Sequence, residues 1–149
     1  MNTPKQDCEQ LMREFMPLAK QMLVAHGEFY PYGGVMRSDG SIVHLGAKEP
    51  GTDHPASRTL IEILQSHFRE RAASNDIMAS CLIFDVRIAR PGSQDKTDAI
   101  QVNLDHQADY SVEVIFPYHL EQGAVTLDAP FAQTGAAQVF SKSPVEDPE

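Results

Sequence analysis

The chain has 149 residues, 42% of them apolar and 22% charged, which suits one globular domain with its own core. Its net charge of −9, from 12 basic and 21 acidic residues with no cationic run, argues against nucleic acid and anionic membrane as partners. Two cysteines, Cys8 and Cys81, are too few for a disulfide framework. The start is polar (Asn2, Thr3, Lys5, Gln6, Asp7), and no segment approaches the roughly 20 apolar residues of a membrane span, so the cytoplasm is the expected location.

The first predicted element is a helix from Lys5 to His26. Leu11, Phe15, Leu18 and Met22 recur at three- and four-residue steps, and Met12, Ala19 and Leu23 widen the stripe. Pro17 falls inside it and predicts a kink or a break, because proline lacks a donor and crowds the carbonyl four residues back. A hairpin follows, Glu28 to Met36 and Ser41 to Gly46, turned by Asp39 and Gly40. Gly33 and Gly34 inside its first strand predict a bulge or a close backbone approach.

The loop from Ala47 to His54 leads to a second helix. Pro55 is expected in its first turn, Ser57 or Asp53 as its cap, and Leu60, Ile61, Leu64 and Phe68 as its buried stripe. Asn75 and Asp76 close it. A strand from Ile77 to Arg90 comes next. Met78, Leu82, Phe84, Val86 and Ile88 are assigned to one of its faces, and Ile77, Ala79, Cys81 and Ile83 to the other. Its first half is therefore expected to be buried on both sides, while Asp85 and Arg87 make its second half polar. Ile100, Val102 and Leu104 mark another strand, and Val112, Val114 and Phe116 the one after, joined around Gln107 to Asp109. Short strands are expected at Gly123 to Leu127 and at Gln138 to Phe140. The Pro- and acid-rich tail, residues 141–149, reads as disordered beyond a domain of residues 1–140.

This order, α-β-β-α-β-β-β, predicts an α+β fold: an antiparallel sheet of about five or six strands with both helices packed on one face. The order of elements is similar to that of profilin-like and roadblock-like scaffolds.

No nucleotide-binding glycine loop, zinc-protease motif, CxxC pair or GxSxG elbow is present. The six histidines lack short ligand spacings, so no metal and no cofactor is expected. Cys81 stands among Met78, Leu82, Ile83 and Phe84, where a thiol is inert, so no catalytic residue is assigned. Asp85, Asp98, Asp105 and Glu113 on facing strands are read as a wet sheet face whose acids pair with Arg87 and Lys96. The aromatic runs Phe29-Tyr30-Pro31-Tyr32 and Phe116-Pro117-Tyr118 point to a binding edge.

The candidate binding residues are therefore Tyr30, Tyr32, Asp53, His54, Arg87 and Tyr118. Absent catalytic motifs and an acidic surface favour a non-enzymatic interaction protein. An immunity-type partner of a basic toxin is one form of that reading. The alternative is a small enzyme or ligand-binding protein with a pocket beside the 47–54 loop; a homodimer through the half-buried strand or the aromatic edge is a third. The segments Gly27-Glu28-Phe29-Tyr30-Pro31-Tyr32-Gly33-Gly34 with Asp39-Gly40, Asp95-Lys96-Thr97-Asp98-Ala99-Ile100, Phe116-Pro117-Tyr118, and Phe131-Ala132-Gln133 through Val139-Phe140 give a further resemblance. With them the chain resembles a group of small uncharacterised bacterial proteins, which implies a bacterial, cytoplasmic protein and carries no functional residues over.

Overall fold

A computed structural model describes residues 2–140, so the expectation of a disordered tail at 141–149 lies outside the described residues. The elements run α1 (Pro4–His26), β1 (Tyr32–Arg37), β2 (Ile42–Leu45), α2 (Ser57–Ala73), β3 (Ile77–Ala89), β4 (Lys96–His106), β5 (Tyr110–Glu121), β6 (Ala124–Leu127) and β7 (Phe131–Thr134). All strand pairs are antiparallel, in the order β2-β1-β3-β4-β5-β6, with β7 also on β5. This is the expected α+β fold.

There are seven strands because the last edge is interrupted. Tyr118 faces Leu127 and Ile115 faces Phe131, so β6 and β7 lie along one side of β5 with one extra residue between them. A bulge of that kind ends ladder pairing locally and keeps an edge from recruiting another strand. Residues 138–140, expected as a strand, form none. They fold back instead and bury Val139 against α2.

The two helices cover opposite faces of the sheet, which corrects the expectation of a single helical layer. Leu11, Phe15 and Leu23 of α1 pack with Met36, Cys81, Ile83 and Val102. Leu64 and Phe68 of α2 pack with Val35, Ile77 and Leu82. Val35 and Met36 are neighbours on β1, as are Cys81 and Leu82 on β3, and neighbouring strand residues point to opposite sides. A strand that is apolar on both faces needs two covers. The face assignment at the start of β3 is also corrected. A bulge where Met36 faces Ala79 and Arg37 faces Ile77 reverses the alternation, so Ile77 joins the α2 side and Met78 the α1 side.

The helix α1 starts at a capping box: Gln6 N–H donates to Thr3 Oγ1 at 3.1 Å, and Thr3 N–H donates to Gln6 Oε1 at 2.9 Å. It ends at Gly27, whose φ of 80° is cheap only for glycine. Pro17 does not break it. The Tyr32 hydroxyl donates to the Phe15 carbonyl at 2.6 Å, so a core phenol ties the helix to the sheet beside the proline. Tyr32→Phe is expected to cost about 1–2 kcal/mol by removing that buried hydrogen bond. A urea titration giving no change would show that the bridge is incidental.

Leu18, expected in the buried stripe, is 38% exposed, because the face is set by the four-residue steps Leu11, Phe15, Ala19 and Leu23. The helix α2 begins at Ser57, which leaves Pro55 before it and not in its first turn. Ala56 is its cap, without a side-chain cap bond, and Ala56 N–H donates to Glu49 Oε1 at 3.2 Å. Neither Ser57 nor Asp53 caps the helix.

Candidate functional site

Three of the polar side-chain groups on this scaffold centre on Asp7, Asp105 and Asp85, and the first two are structural. His106 Nε2 lies 2.9 Å from Asp7 Oδ2, and Ala108 N–H donates to His106 Nδ1 at 3.0 Å. The backbone donor fixes the neutral tautomer, so Nε2–H donates to the Asp7 carboxylate. Both residues are buried, and the pair ties the start of α1 to the β4–β5 turn.

Asp105 is buried on the opposite face. It accepts from the Ser111 hydroxyl, and the backbone N–H groups of Gln138 and Val139 favour its charged form. Burial pushes its carboxyl above the usual range, against those hydrogen bonds and with Glu113 adding to the rise. Arg69 Nε donates to the Gln138 carbonyl at 2.8 Å, so residues 135–140 are strapped to the sheet by side chains that read their backbone. The polar cavity beside Asp105, Ser80 and Asn103 is about 20 Å³ and admits no substrate. Asp105→Ala is expected to cost about 2–3 kcal/mol, because the buried Ser111 hydroxyl loses its acceptor and the 138–139 backbone loses the charge it faces. Amide exchange at Gln138 and Val139 should then quicken, and unchanged protection there would contradict the strap.

The third group gathers where α1 ends. Beyond Ile83, the α1-facing side of β3 continues as Asp85 and Arg87. Across the register, Arg87 faces Asp98 of β4, and its guanidinium donates to Asp98 Oδ1 at 3.3 Å. The expected cross-strand ion pair is thus formed. The Tyr118 hydroxyl of β5 donates to Asp85 Oδ1 at 2.7 Å.

Burial raises the Asp85 carboxyl above its ordinary value, the Tyr118 hydrogen bond opposes that rise, and the charges of Asp98 and Glu28 add to it. The Tyr118 phenol is pushed up as well, first by burial and then by Asp85. Glu28 arrives from the turn after α1, where Gly27 reverses the chain. Phe29 follows and is buried edge-on to Tyr32, with ring centroids 5.8 Å apart. Tyr30 then points outward, 50% exposed, near the C-terminal end of α1 where Val24 is 47% exposed. A surface hollow of about 430 Å³ opens here, lined by Met22, His26, Glu28, Phe29, Tyr30 and Ser57.

Of the candidates from sequence, Arg87 and Tyr118 therefore belong to one cluster, and Tyr30 joins them through Glu28. Tyr32 is a core residue, with its hydroxyl inside α1. Asp53 and His54 are exposed in the loop, where His54 N–H donates to Thr52 Oγ1 at 3.0 Å. The hollow is lined by Ser57, three residues after His54, and by neither of that pair. Glu28 and His26 were not singled out from sequence. The glycine that ends the helix between them was the available signal, because it turns both toward the end of the sheet.

Neither cysteine is placed as a nucleophile. Burial pushes the Cys8 thiol up to about 12, with Asp105, Asp7 and Glu9 adding to it, and Cys81 is fully buried and raised for the same first reason. Among the described residues no group of three or more His, Cys, Asp or Glu side chains could hold a metal ion. No helix there is long and apolar enough to cross a membrane. No family model, curated protein or solved structure matches the chain.

Proposed function

We propose that this is a non-enzymatic interaction protein that binds a basic protein partner through the end of the sheet beside α1, with Asp85, Asp98, Glu28 and Tyr30 at the contact. The observation that carries the reading is Asp85. Its carboxylate is half-buried, close to two other carboxylates, and more costly to ionise than an exposed aspartate. The hydrogen bond from Tyr118 needs an acceptor but not a charge there, and a cationic partner relieves the cost of ionising it. The outward Tyr30 supplies the amphipathic aromatic surface that interfaces favour. The net charge of −9 adds long-range attraction for a basic surface.

An immunity-type role, in which the partner is a basic toxin, is one instance of this chemistry. The resemblance to a bacterial group and the two free, buried thiols support a place in the reducing bacterial cytoplasm.

The test is capture from a lysate of the source cells on immobilised full chain, released by a salt ladder from about 50 to about 500 mM. A basic protein should be retained at low salt, released as salt rises, and held less by an Asp85→Asn, Asp98→Asn double variant. Retention that ignores both salt and the two substitutions would overturn the reading. Light scattering on the isolated chain separates it from self-association.

A further inference from the structure

We infer that the hollow between the end of α1 and the start of α2 is the anchor site for one arginine side chain of that partner, an inference that rests on the reading above. The hollow adjoins the carboxylate cluster and shares Glu28 with it, and three properties of its wall select a planar cation.

The first is aromatic. Tyr30 leaves half its surface open, and Phe29 behind it is buried and fixed against Tyr32. A guanidinium stacks flat on such a ring, whereas an ammonium interacts with it as a point charge. The second is the carboxylate of Glu28, on the same wall. It accepts N–H donors from the edge of a guanidinium whose face lies on the ring, and such charge-assisted bonds are the strong ones. The third is the helix end. Met22 and His26 place the C-terminal turn of α1 in the wall, and that end of a helix carries partial negative charge.

The start of α2, represented by Ser57, would by itself favour an anion. Glu49 reduces that opposition, since its carboxylate sits at the helix start and accepts the Ala56 N–H. Beyond Glu28 the Asp85 carboxylate adds negative potential, while Asp98 is paired with Arg87. A hollow of about 430 Å³ exceeds one side chain, so it admits the flanking backbone of a peptide segment as well.

The experiment is an amide NMR titration of the full chain with a capped Gly-Ala-Arg-Ala-Gly peptide. The same peptide with citrulline, which has the shape of arginine without its charge, is the control. A lysine peptide is the third arm. Saturable shifts are expected at Gly27 to Tyr30 and at Ser57 with the arginine peptide. The lysine peptide should bind several-fold more weakly, and the citrulline peptide should give no saturable shift. Tyr30→Leu, which keeps an apolar side chain without a ring, should weaken arginine binding about five-fold, and Glu28→Gln about three- to ten-fold. The spectra themselves report that each variant is folded.

Equal binding of the citrulline peptide, or shifts that leave Ser57 and Tyr30 unmoved, would overturn the anchor. A basic protein captured by the wild type with no arginine response removes the anchor and leaves the wider reading intact. Arginine binding without any captured protein does the opposite.

Discussion

Gly33→Ala is expected to cost about 3–5 kcal/mol or to leave the chain without a folded state. A Cβ at position 33 would lie 2.0 Å from the Cys81 carbonyl oxygen, 3.0 Å from the Cys81 carbonyl carbon and 3.1 Å from Leu82 Cα. All three are backbone atoms of β3, the strand that both helices cover, so no side chain can swing aside. Gly34 is nearly as constrained: its Cβ would meet the Val43 carbonyl at 2.2 Å and the Phe15 ring at 2.3 Å. These two glycines let β1 and its neighbours approach while Phe15 of α1 lies against bare backbone. Gly46→Ala is the control, since nothing stands within 4 Å of its Cβ and its φ is not in the left-handed region. Urea unfolding should show the control near wild type. A cost near 1 kcal/mol for Gly33→Ala would mean that β1 separates from β3 easily.

Phe15→Ala and Phe68→Ala should each cost about 3–5 kcal/mol, since both rings are fully buried and little can collapse into the space they leave. Their placement gives a sharper expectation. Phe15 belongs to the α1 cluster and Phe68 to the α2 cluster, with the sheet between them. Residues that share no neighbour contribute independently, so a cycle built from the milder Phe15→Leu and Phe68→Leu should be additive within about 0.5 kcal/mol. Coupling of about 1 kcal/mol or more would place the two rings in one core and restore a single helical layer.

That single layer was the expectation that failed, and the contrary signal was in the same strand. Ala79, Cys81 and Ile83 alternate with Leu82 and Phe84, so the start of β3 is apolar on both sides. One helical layer cannot cover both. The helices, the Asp39-Gly40 turn and the β4–β5 hairpin were legible because each is written in local periodicity or turn chemistry. The bulge at Met78 was not, because an extra residue reverses the faces without changing composition. Nor was the strap at 135–140, since its hold on Asp105 and Arg69 spans the chain and leaves no local pattern.

The candidate site was half legible for a related reason. Tyr30, Arg87 and Tyr118 stand out in sequence as aromatic and charged residues at strand ends. Asp85 was weighed, but its environment could not be read: the proximity of Glu28 depends on how α1 stops and turns at Gly27. Asp53 and His54 looked promising because a Gly- and Pro-rich loop held them, yet the loop brings Ser57 to the hollow and leaves that pair in solvent.

The pH dependence of Asp85→Asn tests the central claim, that the Asp85 charge is kept at the expense of the fold. The native carboxyl has a raised pKa, so the native state holds that proton more tightly than the unfolded chain. The stability it contributes is present below the ordinary aspartate value of about 3.9 and is lost as pH rises through the raised native value. Asparagine still accepts from Tyr118 but cannot ionise. Measured by urea unfolding, the variant should gain on the wild type as pH rises from about 4 to about 7. An asparagine variant that is less stable than the wild type at pH 7, by a margin that widens with pH, would show that the charge serves the fold and would contradict the account.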